Sequence, residues 1–184
     1  TIDGNGNVTR ADDPLGRFEL FAYTPGGNVD TYTSKKDAVF DYAYDAGDNY
    51  RTSDTVTVLQ ADGSSQTITN SYQYDVYGNR TRHTDPRGKI YQYLYDTRGN
   101  LRQATDPLNQ PVSHAYDLED HRTGATDQAG NLTTFVYDTD INASLITETK
   151  LSISKSYEYD WVGNKKKDID PLGRETIYGY DLSN

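Results

Sequence analysis

Apolar and polar positions alternate in short runs, and nowhere do apolar residues recur at the three-to-four-residue spacing of an amphipathic helix. Tyr91, Tyr93 and Tyr95 fall on one side of an extended strand, as do Phe135 with Tyr137 and Tyr178 with Tyr180. Thr, Tyr, Val and Ile dominate these runs, and all four favour strands. Between the runs stand Asp, Pro, Gly and Asn, the residues that open and close turns. The pattern predicts short strands joined by tight turns, which is a succession of β-hairpins.

The hairpins recur on a fixed step. Tyr74-Asp75, Tyr95-Asp96, Tyr116-Asp117 and Tyr137-Asp138 are spaced 21 residues apart, and Tyr159-Asp160 leads to Tyr180-Asp181 by the same interval. A period of this length marks an array of units, none able to bury its apolar face alone. Each unit carries two turns. The first reads Asp75 then Gly78-Asn79, and the second reads Asp85-Pro86 then Gly88. Sister units answer with Asp96 and Gly99-Asn100, Asp106-Pro107, Asp160 and Gly163-Asn164, and Asp170-Pro171 with Gly173. Asp is expected to accept a backbone N–H two residues on, Pro to preset φ, and Gly or Asn to take a positive φ.

Some positions depart from this frame. Asp120-His121 replaces Gly-Asn and Asn109 replaces the second-turn Gly, which predicts distorted turns there. Asp45 to Asp75 spans 30 residues and Asp138 to Asp160 spans 22, so lengthened hairpins are expected at about 46–72 and 139–158. In the first, Thr55 to Leu59 and Gln66 to Tyr74 read as strands. In the second, Ala143 to Thr147 and Lys150 to Tyr159 do.

Composition thins the expected core. Only 34% of the 184 residues are hydrophobic, and the formal net charge is −10. The 17 Tyr carry much of the apolar area against 4 Phe and 1 Trp. A Tyr ring can pack while its hydroxyl stays in water, which suits a thin sheet. The reading is a single all-β domain over residues 1–184, in which antiparallel hairpins pair edge to edge. Roughly eight to nine units of two strands would make a ribbon on the order of 80 Å wide. Its end strands would template edge-to-edge self-association. The chain starts and stops inside a unit, as a piece of a longer array would.

Little in the sequence points to chemistry. With no Cys, there is no disulfide, zinc–thiolate site or thiol nucleophile. No apolar run reaches membrane-spanning length, and the acidic balance argues against nucleic acid. Lys165-Lys166-Lys167 follows a turn and reads as a solvated strand. His83, His114 and His121 sit at different phases of the repeat, with His121 in a slot that is Asn in sister units. Glu19, Glu119, Glu148, Glu158 and Glu175 are the only glutamates among 28 acidic residues, and most aspartates head turns. No catalytic residue and no cofactor is therefore expected. Asp3, Asn5 and Asn7 form an oxygen-rich loop that could hold Ca²⁺, without the closing Glu of an EF-hand. Trp161 and Tyr77, on hairpin turns, are the candidate contacts for a glycan.

The pattern Tyr-Asp-x-x-Gly-Asn, five residues, then Asp-Pro-x-Gly, as in Tyr74 to Gly88, resembles the YD repeat of the Rhs family. That family takes in bacterial polymorphic toxins, the B and C components of insecticidal Tc complexes, wall-associated proteins and animal teneurins. The resemblance covers essentially the whole chain and is strongest from Tyr72 to Asp138 and from Tyr157 to Asp181. It implies one wide, curved, spiralling sheet that is part of a hollow shell, secreted or on the bacterial cell surface. Its partners would be the rest of the shell and an enclosed toxin or effector. The closing segment of such shells, with its self-cleaving aspartates, is not found. The alternative reading is an extracellular module that binds carbohydrate or a receptor.

Overall fold

The computed structural model describes residues 1–138 and 144–181. Among them every regular element is a strand. In chain order these are β1 (Arg10–Asp12), β2 (Phe18–Tyr23), β3 (Val29–Thr33), β4 (Val39–Tyr44), β5 (Arg51–Leu59), β6 (Ser65–Tyr74), β7 (Arg80–Thr84) and β8 (Ile90–Tyr95). There follow β9 (Leu101–Thr105), β10 (Pro111–Tyr116), β11 (Arg122–Thr126), β12 (Leu132–Tyr137), β13 (Leu145–Lys150), β14 (Ile153–Tyr159), β15 (Lys165–Ile169) and β16 (Glu175–Ile177). The chain divides into two units, residues 1–92 and 93–184, with β8 running across the division. Strand order is chain order. Within each unit every strand pairs antiparallel with the one before it. The expected array of antiparallel hairpins is the fold.

One loop geometry serves both kinds of turn. The Asp75 N–H donates to the Asn79 carbonyl at 2.9 Å, and the Gly78 N–H donates to the Asp75 carbonyl at 3.1 Å. Gly78 sits at φ 87°. This is a type I turn closed by a left-handed residue, a common three-residue hairpin loop. Asp85 to Lys89 repeats it, with both bonds at 2.9 Å and Gly88 at φ 73°. The Asp carboxylate supplies the third element. Asp75 Oδ1 accepts the N–H groups of Tyr77 and Asn79, both at 2.9 Å. Those donors lie two and four residues on, so one oxygen satisfies two amides that the tight loop would otherwise leave unpaired.

The distortion expected at the irregular turns is absent. Asn109 and Asp120 take left-handed φ values of 60° and 69°, and their loops keep the same closing bonds. Asn and Asp tolerate that region better than other side chains bearing a Cβ. The lengthened hairpin at 46–72 is present as β5 and β6, joined by a Gln60–Ser64 loop of the standard form. At 139–158 the outcome is mixed. Residues 139–143 lie outside the described residues, and β13 runs on through Lys150 instead of ending before it. The turn falls at Leu151 and Ser152, both left-handed at φ 51° and 62°. A two-residue loop with two positive φ values matches strand twist, but Leu-Ser carries none of the usual lettering for it.

The tyrosines differ most from expectation. A register shift occurs just before Tyr23, Tyr44, Tyr74, Tyr116, Tyr137 and Tyr159. In the third of these Tyr74 pairs with Arg80 and Gln73 with Arg82, leaving Thr81 as the extra residue of a bulge. The strand after the turn thus starts with carbonyls that the next ladder does not reach. Tyrosine hydroxyls of the following repeat fill them. Tyr23 donates to Val8, Tyr44 to Val29, Tyr74 to Arg51, Tyr137 to Arg122 and Tyr180 to Lys165, each at 2.9 Å, and Tyr116 donates to Leu101 at 3.2 Å. Hydroxyls expected to stay in water instead tie one repeat to the next.

Among the described residues no hydrophobic side chain is fully buried. Within each unit the described elements pack only against their chain neighbours, so each unit is one layer thick. Stability therefore rests on ladder bonds, turn bonds and cross-strand pairs, the last contributing roughly 0.2–1 kcal/mol each. Tyr137→Phe keeps the ring but leaves the Arg122 carbonyl without its donor. The variant should lose about 1 kcal/mol in urea unfolding, whereas Tyr77→Phe, on an exposed hairpin tip, should lose less.

Candidate functional site

A sheet one layer thick can act through its faces and its rows of turn tips. In the first unit one face collects the aromatic rings. Phe21, Tyr32 and Phe40 are directly paired across β2, β3 and β4, with centroids 5.1 and 5.3 Å apart. Tyr72, His83 and Tyr91 continue the pattern across β6, β7 and β8 at 5.2 and 5.5 Å. Acids are woven between the rings. Tyr32 donates to Glu19 at 2.7 Å, and Asp54 accepts from Tyr72 at 2.6 Å and from Asn70 at 2.9 Å. Burial, helped by Asp54, pushes the Tyr72 phenol up to about 12. On the opposite face Thr55 stands against Thr69 at 3.0 Å and Thr57 against Thr67 at 3.3 Å, with Asp41 and Arg82 in cross-strand rows of the same face.

The second unit uses cations in the same setting. Lys165 lies over Tyr157 and Tyr178, 5.7 and 4.8 Å from the ring centroids, with Asp168 at 2.9 Å. Arg122 covers Phe135 at 4.8 Å. Lys167 pairs with Glu158 and Glu175 at 3.4 and 3.3 Å. Two members of the lysine run are thus held by neighbouring acids.

Neighbouring turns are joined laterally by side chains. Asp48 stands at a left-handed turn position, φ 57°, and reaches back one repeat. Its Oδ2 accepts from the Thr24 hydroxyl and, at 3.0 Å, from the Gly26 N–H, while its carbonyl accepts from Asn28 Nδ2 at 2.7 Å. A Cβ on Gly26 would collide with that carboxylate. In the second unit Asp120 does the same, taking Asn100 Nδ2 at 2.5 Å and Arg98 Nε at 2.9 Å. In the sequence Asp120 stands only as a replacement for the Gly of sister turns, with no sign of this role. The usable signal was an Asp in the left-handed slot directly after a turn rich in hydroxyl, amide or guanidinium donors.

The residues singled out from sequence resolve mostly into turn closure. Asp85, Asp96, Asp106, Asp117, Asp127, Asp160 and Asp170 each accept N–H groups two and four residues on. Asp3 does likewise, with Asn5 and Asn7 N–H at 2.9 Å and Asn7 Nδ2 at 3.1 Å on its second oxygen. Its oxygens are thereby turned into the loop. Among the described residues no group of three or more His, Cys, Asp or Glu is placed to hold a metal ion. His121 performs the task of Asn79, with Nδ1 at 3.0 Å from Asp117, and its ring packs at a tilt against Tyr137, centroids 5.2 Å apart. His83 lies between two tyrosines with Nε2 at 3.0 Å from Asn70. Burial lowers the His114 pKa. Tyr77 and Trp161 stand on hairpin tips in different units, 75% and 89% exposed.

Asp75 and Asp127 are held ionised by their loops. The Asn79 side chain and the loop amides lower the Asp75 pKa. The Asn131 backbone and side chain, with Lys150, bring Asp127 down to about 2.

The profile of the teneurin YD-shell family matches residues 1–167. Among solved structures the chain resembles TcdB2-TccC3-Cdc42, with 13% identity and a TM-score of 0.53 over 90% of this chain and 12% of that one. TcdB2-TccC3 without its hypervariable C-terminal region gives 12% identity and 0.53 over the same shares. The Photorhabdus luminescens Tc holotoxin pore gives 13% and 0.52, over 96% of this chain and 12% of that one. At such identity the likeness establishes the fold, and the chain spans about an eighth of those proteins. No curated protein matches the sequence.

Gly normally relieves a left-handed position by about 1 kcal/mol, yet Asp48→Gly should lower the melting temperature because it strips the Thr24–Asn28 turn of its acceptor. In the folded chain Asp75, Asp96, Asp127, Asp160 and Asp170 titrate below the unfolded value of about 3.9. Their stabilisation is therefore full above that pH and is lost as pH falls from about 4 toward 2. Melting temperature should stay level from neutral pH to about 5 and drop below about 4, as calorimetry would record.

Proposed function

The chain belongs to the teneurin YD-shell family, and on that premise we propose that it is a wall segment of a larger shell. The shell would be secreted or displayed on a bacterial cell surface and would enclose a toxin or effector polypeptide. Each unit would be a stretch of that wall, without catalytic activity of its own. The observation that carries the reading is the set of inter-repeat hydroxyl bonds, which join hairpins laterally at the bulges where ladder pairing lapses. A barrier needs such continuity more than it needs a pocket. The family match over residues 1–167 and the shared fold with TccC3 structures support it further.

The physical action follows from the sheet. A hydrogen-bonded ladder leaves no opening wide enough for a folded protease, so shape alone would separate the enclosed chain from outside proteins. Partners would be the neighbouring repeats of the same shell and the enclosed polypeptide.

The test is protease protection in the natural polypeptide that carries this segment. With the segment present, sequence enclosed by the shell should survive a protease dose that degrades it once residues 1–184 are deleted. Equal survival with and without the segment would contradict the wall assignment.

A further inference from the structure

Turns alternate between the two margins of an antiparallel array. Within residues 1–92 the first turn of every repeat therefore lies on one margin and the second turn on the other. Their charges are segregated. The first-turn loops at 3–7, 24–28, 45–50 and 75–79 hold Asp3, Asp45, Asp48 and Asp75, and no Lys or Arg. The second-turn loops at 13–17, 34–38, 60–64 and 85–89 hold Arg17, Lys35, Lys36, Arg87 and Lys89 against four aspartates. Arg51 and Arg80, which directly follow first turns, lie over Tyr42 and Tyr72 on the ring-bearing face, and the first-turn tips stay acidic.

The acidic margin also has a recess. A cavity of about 670 Å³ between the 24–28 and 45–50 turns is lined by Asp30, Asp45 and Asp48 with Pro25, Tyr42 and Tyr44, and by no Lys or Arg. Asp30 is exposed, and none of the three carboxylates forms an ion pair among the described residues. Asp45 spends one oxygen on the Asn49 and Tyr50 N–H groups, and Asp48 Oδ1 is buried without a partner. The three are not placed to share a metal ion, but the recess is wide enough for a long basic side chain. On the other margin Asp13 engages Arg17 at 2.8 Å and Lys35 at 3.8 Å. Lys36, Arg87 and Lys89 are exposed and form no ion pair among the described residues.

We propose that the acidic recess of one copy of this chain receives the basic second-turn tips of another, in a head-to-tail contact between unlike margins. Opposite potentials meet only in that pairing, since two acidic margins would repel. The contact is heterologous, so each copy keeps one margin free for a further copy. Single exposed ion pairs are weak, and the association accordingly draws on several tips at once and is sensitive to salt.

The test is sedimentation of the whole chain at about 0.1 M salt, where screening over about 10 Å damps repulsion between two chains of charge −10 but spares groups in contact. The chain should associate there and sediment as a monomer at about 1 M, where the screening length is about 3 Å. Asp30→Lys reverses a charge in the recess, and Lys36→Glu, Arg87→Glu and Lys89→Glu together reverse the basic margin. None of these side chains closes a turn, so far-ultraviolet circular dichroism should be unchanged. Each variant alone should associate at least about tenfold more weakly. Mixed, the two should associate again and stop at a pair, because one keeps the basic margin and the other keeps the recess. A monomer at both salt concentrations would overturn the proposal, as would a mixture no more associated than its components. Association that survives about 1 M salt and both variants would point to pairing of end strands and overturn it as well.

Discussion

Before Tyr23, Tyr44, Tyr74, Tyr116, Tyr137 and Tyr159 the register slips, and carbonyls at the start of the next strand lose their amide partners. A tyrosine hydroxyl from one repeat later takes one of them, at 2.9 Å for Val29 and again for Arg122. An unpaired carbonyl costs about as much as a lost hydrogen bond, so the bulge makes each repeat depend on its successor. That dependence accounts for the pairing of Tyr with Asp in the sequence. The Asp closes its own loop, and the Tyr beside it reaches back to the previous one. Loop closure and lateral attachment are thus encoded at adjacent positions.

The absence of a packed second layer follows from the same economy. No hydrophobic side chain among the described residues is fully buried, so the sheet cannot rely on a jigsaw interior. Rings stack across strands, cations cover rings, and acids accept from phenols, all on one face of the first unit. Tip-to-tip bonds from Asp48 and Asp120 add a second lateral connection at the turns. A stacked array of this kind gains stability repeat by repeat, through its own hairpins and the interfaces between them. A wall is a natural use for it, because neither face must be sacrificed to a core.

Much of this was legible in the sequence for a physical reason. Turn aspartates act locally, on amides two and four residues away, so Asp75 and Asp160 announce their loops by spacing alone. What stayed hidden acts across repeats. The Tyr116 hydroxyl contacts a carbonyl fifteen residues earlier, and a main-chain acceptor has no letter to read. Asp120 looked like a worn Gly because its partners, Arg98 and Asn100, belong to another turn. Leu151-Ser152 escaped notice since its left-handed conformation is imposed by the strands on either side.

Urea unfolding of a variant with Phe at positions 23, 44, 74, 116, 137 and 180 tests the coupling between repeats most directly. If hydroxyls bind each repeat to the next, the transition should move to lower urea and broaden, with a smaller slope, because segments of the array then unfold separately. A transition of unchanged midpoint and steepness would show that the hairpins hold together without those bonds, and would contradict the account.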